Sequence, residues 1–283
     1  MIIAIVGLGL IGGSFAKAIK KYTNHMVWGI DNNQKTIEQA LKTNSIDNEI
    51  SVNQLNQVDM TIIGLYPQLT IDFINENAKH FKKNSIVIDV SGIKEIIVSK
   101  ATNVLTEYNV NFVGTHPMAG REYSGFEYSK FDLFNNASMI ITPISNTSRT
   151  AVDCVANLAK EINFKQIVEV TPFEHDKVIA FTSQLAHIVS SAYIKSPTAE
   201  KEYGFSAGSF QDLTRVAKLN SSMWTSLFLN NKKALLYEIN SIIDNLLLYK
   251  NAISNEDEVE LRQLLQDGSE KKEKSIKMHE NRQ

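Results

Sequence analysis

A histidine followed by proline stands in GTHPMAGRE, residues 114–122, with an arginine and a glutamate at the end of the stretch. Imidazole can take a proton near neutral pH, so His116 is a candidate base. A second stretch, DVSGIK, puts Ser91 and Lys94 after an apolar run. A third, SQLAH, spaces Ser183 and His187 four apart, so that one helix face presents both. Further on, SFQDLTRVAKLNSSMW carries Asp212 and Arg215, with Trp224 beyond. The planar fork of Arg215 suits a carboxylate. Each group also has an ordinary structural reading. Ser91 can cap a helix, a lone histidine is more often structural than catalytic, and Asp212 with Arg215 can be an exposed ion pair of little consequence.

Position decides between these readings. Short runs rich in Val and Ile recur at 2–7, 26–31, 58–65, 85–90, 110–115 and 138–143, and helical or loop sequence separates the first five. Unalternated strands spaced by helices imply a parallel sheet covered on both faces, a doubly wound α/β domain. Residues 165–172 offer one more strand. Ser91 then follows the fourth strand and His116 falls just past the fifth. Both lie at the sheet edge where such folds bind ligands. Gly114 and Gly120 would let the chain bend around His116, and Pro117 would stiffen the turn.

After Pro172 the pattern is helical to about residue 268. Much of 223–249 is apolar around most of a helix, which points to burial in a homodimer rather than at the centre of its own bundle. The expected organisation is a sheet domain over 1–167, a helical substrate and dimerisation domain over 168–268, and a charged, disordered tail over 269–283.

The first strand runs directly into GLGLIG and the helix GSFAKAIKK, a full G-x-G-x-x-G in the context it needs. Gly7 permits the tight turn, Gly9 lets the backbone approach a pyrophosphate, and Gly12 allows close helix–strand packing. With Leu10 and Ile11 these residues open a helix N-terminus that donates amides to phosphates. Asp31 ends the second strand about 20 residues on, where a carboxylate accepts from ribose hydroxyls and repels a 2′-phosphate. The residues after it, NNQK, hold no arginine. NAD is therefore favoured over NADP.

Composition removes other classes. The 29 basic and 31 acidic residues are interspersed for a net charge of −2, with no electrostatic surface for nucleic acid. No apolar run is long enough to span a membrane, and the glycine-rich N-terminus lacks the basic start of a signal peptide. The single cysteine, Cys154, rules out an intramolecular disulfide framework, fits a reducing cytoplasm, and falls in an amphipathic pattern as a core thiol. No metal is expected.

Taken in order, GLGLIGGSFAKAI, DVSGIK, GTHPMAGRE, TPFEHDKVIAFTSQLAH and SFQDLTRVAKLNSSMW resemble the prephenate dehydrogenase family over about residues 1–250. The histidine stretch and the DLTR…W helix are the specific parts, and the glycine loop is generic. The resemblance implies a Rossmann-like domain followed by a helical dimerisation domain. It implies NAD-dependent oxidative decarboxylation of prephenate to 4-hydroxyphenylpyruvate, a step towards tyrosine. It makes His116 the group that takes the hydrogen bond of the ring hydroxyl as hydride departs, with Ser91 orienting it or sharing the hydroxyl. Arg215 would hold a substrate carboxylate, and His187 with Ser183 would contact the pyruvyl end. Glu122 would act on His187 or a neighbour, and Trp224 would close the pocket. Arg121 stands where the family usually has Thr, and Ala186 where it often has Pro.

The resemblance covers arogenate, which carries an amine in place of the keto group, as well as prephenate. An acidic partner for that amine, Glu122 or Asp176, would discriminate. A β-hydroxyacid dehydrogenase shares the layout but relies on a lysine in the first interdomain helix, and none lies between Val178 and Lys195. A non-catalytic NAD sensor would keep Gly7, Gly9, Gly12 and Asp31 without needing His116, Ser91 and Arg215 together.

Overall fold

The computed structural model of the chain describes residues 1–120 and 123–280. It divides into two compact units, Met1–Lys232 and Lys233–Gln283.

The first unit is built on an eight-stranded sheet. Its strands are β1 (Ile2–Val6), β2 (Met26–Ile30), β3 (Asn48–Glu49), β4 (Met60–Ile63), β5 (Ile86–Asp89), β6 (Asn111–Pro117), β7 (Ser138–Thr142) and β8 (Gln166–Glu169). They lie in the order β3-β2-β1-β4-β5-β6-β7-β8. The crossovers carry α1 (Leu10–Tyr22), α2 (Gln34–Lys42), α3 (Pro67–Asn77), α4 (Glu95–Glu107) and α5 (Arg149–Glu161). Alternation within single strands splits the core in two. Ile3 and Ile5 pack with Phe15 and Ile19 of α1 and Val152 and Val155 of α5. Ala4 and Val6 pack with Ile71 and Ile74 of α3 and Ile97 and Leu105 of α4. A sheet buried on both faces needs such runs, and this is the doubly wound fold expected.

The chain winds from β1 outward through β2 and β3, then crosses to β4 on the other side of β1. That reversal opens a crevice at the carboxyl ends of β1 and β4. Gly7 and Gly64 meet there. A Cβ on Gly7 would stand 2.9 Å from the Gly64 carbonyl oxygen.

Several local expectations are corrected. The two-residue β3 is polar and exposed and gives no apolar run. All neighbours are parallel except β6 and β7, which pair antiparallel. Described residues between them hold a three-residue 3-10 helix, Phe126–Tyr128, and turns but no α-helical crossover, so the chain doubles back. His116 lies inside β6, opposite Ile140, rather than past the strand's end. Gly114 is also a strand residue. It does not bend the chain but admits neighbours, since a Cβ there would meet Thr142 Oγ1 and Val98 Cγ2 at 2.5 Å. Cys154 is half-buried on α5 beside the core, and burial pushes its thiol pKa up.

Beyond the sheet come α6 (Pro172–Ile179), a π-helical turn at Ala180–Leu185, α7 (Ala186–Tyr193), α8 (Gly208–Thr214) and α9 (Ser221–Asn230). These helices belong to the same compact unit as the sheet. The apolar stretch 223–249 is not one helix. It breaks at buried Asn231, whose amide donates to the Asp176 carbonyl and to Gln184 Oε1.

The second unit pairs α10 (Lys232–Ser254) with α11 (Glu258–Glu280), and Tyr249 Oη donates to the Leu264 carbonyl at 3.1 Å. The tail expected to be disordered is helical to Glu280. Its Glu and Lys residues are good helix formers, and Asp267–Lys271 and Gln266–Glu270 are linked at the i,i+4 spacing. Residues 281–283 lie outside the described residues. No described helix is long and apolar enough to cross a membrane.

Candidate active site

The glycine loop behaves as its spacing requires. Gly7 has φ of +85°, and a Cβ on Gly12 would lie 1.9 Å from the Gly7 carbonyl oxygen. At Gly9 a Cβ would meet nothing within 4 Å, so the backbone there faces open space. Gly9 is also the N-cap of α1 and offers no side chain to the first-turn amides. Gly9, Leu10, Ile11 and Asp31 all keep exposed surface. Asp31 Oδ2 accepts from the Leu8 amide at 2.7 Å and Oδ1 from the Asn33 amide at 2.8 Å. The carboxylate is thus fixed against the loop. These residues suit a dinucleotide, with free amides for the pyrophosphate and a placed acid for the ribose.

The second cluster surrounds His116. Its Nδ1 lies 2.9 Å from His175 Nε2, and His175 Nδ1 lies 2.7 Å from Asp176 Oδ1. Asp176 also accepts from the amides of Lys94 at 2.7 Å and Glu95 at 2.9 Å. A carboxylate from α6 therefore caps the N-terminus of α4, where the helix dipole favours it. Lys94 is completely buried, and its Nζ donates to Asp89 and to the Thr115 carbonyl. Burial pushes the Lys94 pKa down, against the pull of Asp89. Burial first, then His175 and Lys94, hold His116 well below its ordinary 6.5. Burial also lowers His175, with Asp176 opposing. Both imidazoles are neutral at pH 7.

Ser91 is buried at the end of β5. Its amide donates to Asp89 Oδ2 at 3.0 Å, and its hydroxyl stands 3.5 Å from the Leu65 carbonyl. It does not cap α4, and among the described residues no hydrogen bond joins it to His116. It is nonetheless next to Gly92, where a Cβ would lie 3.8 Å from His116 Nε2 and 3.6 Å from Leu227.

Leu227 belongs to α9 and leads to the third cluster. One turn back, Trp224 packs on His187 with ring centroids 3.9 Å apart. His187 Nδ1 lies 2.8 Å from the Ser183 carbonyl, so the link between these two residues runs through backbone. Burial lowers the His187 pKa, and the charge of Arg215 lowers it further. The Arg215 charge thus reaches the imidazole on which Trp224 packs, and α9, which carries Trp224, also brings Leu227 to Gly92 and His116. Asp212 is exposed on α8. The π-helical turn holds Ser183 and separates Asp176 from His187, an irregularity common at functional sites. Glu122 and Arg121 lie outside the described residues.

His175 was not singled out from the sequence, although a signal existed. Pro172, His175, Asp176 and Ile179 are the buried positions of α6. Two polar residues adjacent on the buried stripe require buried partners.

Comparison with known proteins agrees with this architecture. Residues 15–168 match the model of the prephenate dehydrogenase nucleotide-binding domain, and residues 171–267 that of the prephenate dehydrogenase dimerization domain. The chain is similar to a prephenate dehydrogenase of Bacillus subtilis strain 168, at 34% identity over 90% of this chain and 71% of that one. It is also similar to the crystal structure of prephenate dehydrogenase from A. aeolicus in complex with hydroxyphenyl propionate and NAD+. That match has a TM-score of 0.87 at 28% identity, over 97% of this chain and 98% of the other. Synechocystis arogenate dehydrogenase aligns with a TM-score of 0.84 at 28% identity, over 97% of this chain and 100% of the other.

Proposed function

The chain belongs to the prephenate dehydrogenase family, and we propose that it oxidises prephenate with NAD, releasing carbon dioxide and 4-hydroxyphenylpyruvate. The observation that carries this reading is His116. It is neutral, its Nδ1 is engaged by His175, and its Nε2 stands near Gly92 and Leu227, on the side of α9 that leads to Trp224, His187 and Arg215.

Gly7, Gly9, Leu10, Ile11, Gly12 and Asp31 would hold NAD, which would supply the hydride acceptor. His116 accepts a hydrogen bond from the ring hydroxyl and polarises it as hydride leaves the carbon that bears it. The ring carboxylate departs as carbon dioxide and its bonding pair completes the aromatic ring. With both prephenate carboxylates ionised no net proton is released, so His116 borrows the hydroxyl proton and returns it to the phenol. Arg215 holds a carboxylate, His187 and Ser183 contact the pyruvyl end, Ser91 orients the hydroxyl, and Trp224 closes the pocket, while Glu122 is assigned to substrate binding by the family resemblance alone. The division into a cofactor domain over 1–167 and a substrate and dimerisation domain over 168–268 belongs to this reading. So does a homodimer, whose contact surface would use the exposed Leu236, Tyr237, Leu246 and Ile253 of α10. Biosynthetic work of this kind places the protein in the cytoplasm.

The test is NADH formation by purified protein with NAD and either prephenate or arogenate. Turnover with prephenate alone supports the reading. Turnover with arogenate, in the manner of the Synechocystis relative's name, keeps the chemistry and changes the substrate. No turnover with either, despite NAD binding, overturns the reading.

Two substitutions probe the assignments. Arg215→Ala should raise the apparent KM for prephenate about ten- to a hundredfold with a smaller change in kcat, since it removes a charge-assisted contact. A fall in kcat alone would move Arg215 out of the binding role. Asp31→Ala should weaken NAD about tenfold and narrow its preference over NADP, because the ribose acceptor and the charge that repels a 2′-phosphate go together. Titration with both cofactors reads the ratio, and an unchanged ratio removes Asp31 from cofactor choice.

A further inference from the structure

We infer that His175 and Asp176 are positioning residues that fix the tautomer of His116, keeping its proton on Nδ1 and its Nε2 lone pair turned to the substrate hydroxyl. The inference rests on the proposed reaction for its purpose but not for its geometry.

The assignment follows from one end of the chain of contacts. Asp176 accepts two backbone amides, so it is the acceptor in its 2.7 Å contact with His175 Nδ1 as well. His175 is neutral, so its proton is the one on Nδ1 and its Nε2 carries a lone pair. The 2.9 Å contact with His116 Nδ1 then requires His116 to be the donor. His116 is also neutral, so Nε2 is left bare. Among the described residues Nε2 makes no hydrogen bond, and it lies beside Gly92. In water a neutral imidazole prefers its proton on Nε2, the wrong place for a base acting through that atom. The relay reverses the preference, and as the hydroxyl proton moves towards Nε2 the Nδ1–H bond to His175 strengthens.

The charged surroundings agree. Asp176 is held at the α4 N-terminus, and buried Lys94 with Asp89 packs against the same corner. Lys94 discourages a second positive charge on either imidazole, which keeps both neutral and the direction of donation unique.

The experiment has two readouts on the full-length protein. Nitrogen-15 histidine spectra, with His116 assigned by its loss in His116→Asn, report the tautomer without any substrate. The expected result is a protonated Nδ1 and a bare Nε2. A wild-type His116 protonated on Nε2 overturns the inference whatever the enzyme turns over. The second readout compares His175→Gln with His175→Phe under saturating NAD. Glutamine offers an oxygen to accept from Nδ1, whereas phenylalanine keeps a ring of similar shape and accepts nothing. The relay predicts a kcat loss of about 10²-fold or more for phenylalanine, about tenfold or less for glutamine, and small changes in KM for both. A packing role predicts the reverse order, and phenylalanine retaining the higher kcat overturns the inference. If His175→Phe does not fold, the tautomer in wild type and in His175→Gln decides. Silence of the wild type with prephenate and arogenate would sink the proposed reaction while the spectra still judged the relay.

Discussion

Substituting His116 by asparagine is expected to lower kcat about 10²–10⁴-fold while leaving NAD affinity nearly intact. The separation follows from position. The glycine loop follows β1 and is fixed by Asp31, and among the described residues no hydrogen bond joins it to His116. Asparagine keeps a polar group of similar reach but cannot take a proton, so the loss reports base function rather than volume. Single-turnover NADH absorbance reads the chemical step, and NAD titration of the same preparation reads binding. An unchanged kcat removes His116 from the mechanism, and a parallel loss of NAD binding would mean the substitution damages the crevice.

The same environment sets the acid limb of the wild-type profile. In the proposed reaction His116 works unprotonated, and burial holds its folded-state pKa well below 6.5. Activity should therefore persist as pH falls through 6.5 and decline only below it. The linkage has the matching sign. The unfolded chain takes up the His116 proton first as pH falls, so the stability this group contributes is full above 6.5 and is lost as pH drops through the folded pKa. A kcat limb at or above 6.5 would contradict the neutral, buried His116 from which the tautomer argument starts.

How much of this was legible in the sequence depends on how local each signal is. The glycine loop and Asp31 are set by spacing along one β-α-β unit, and their local geometry showed in the sequence. The strands with continuous apolar runs did so too, because burial on both faces leaves that mark on every residue. The two-residue β3 leaves none, since it is polar and held by pairing to β2. The antiparallel return of β7 follows from a missing helix, a weaker signal than a present one. At the site, His116 was visible as a residue type in an unusual context, but its orientation was not. That orientation is made by His175, 59 residues away, and by the α4 cap that Asp176 provides 82 residues from Lys94. Such contacts are set by how α6 meets the sheet. Spacing within one segment cannot express them, though the polar pair on the buried stripe of α6 announces that some partner exists. Asn231 makes the same point: within the polar stretch from Asn230 to Lys233 it is a buried amide, turned to the Asp176 carbonyl and Gln184 Oε1.

The largest stability effect is expected at Lys94, where the fold and the site share one residue. Lys94→Met should cost about 3–5 kcal/mol, read as the unfolding free energy in urea. The methionine stem fills nearly the same space, so the loss is electrostatic. Asp89 is fully buried, and without the ammonium its donors among the described residues are the Ser91 amide at 3.0 Å and the longer Thr115 amide at 3.4 Å. The Thr115 carbonyl also loses its 2.6 Å donor. Adding Asp89→Asn to Lys94→Met should recover part of the loss, since it removes the stranded charge, and the double-mutant cycle then isolates the pair. Lys94 also lowers the His116 pKa, so in any Lys94→Met protein that folds the acid limb of kcat should move up towards 6.5. The two readouts are independent. A loss below about 1 kcal/mol would mean that Asp89 finds another partner or takes up a proton. An unmoved acid limb would mean that the Lys94 charge does not reach His116, leaving burial and His175 to keep that imidazole neutral.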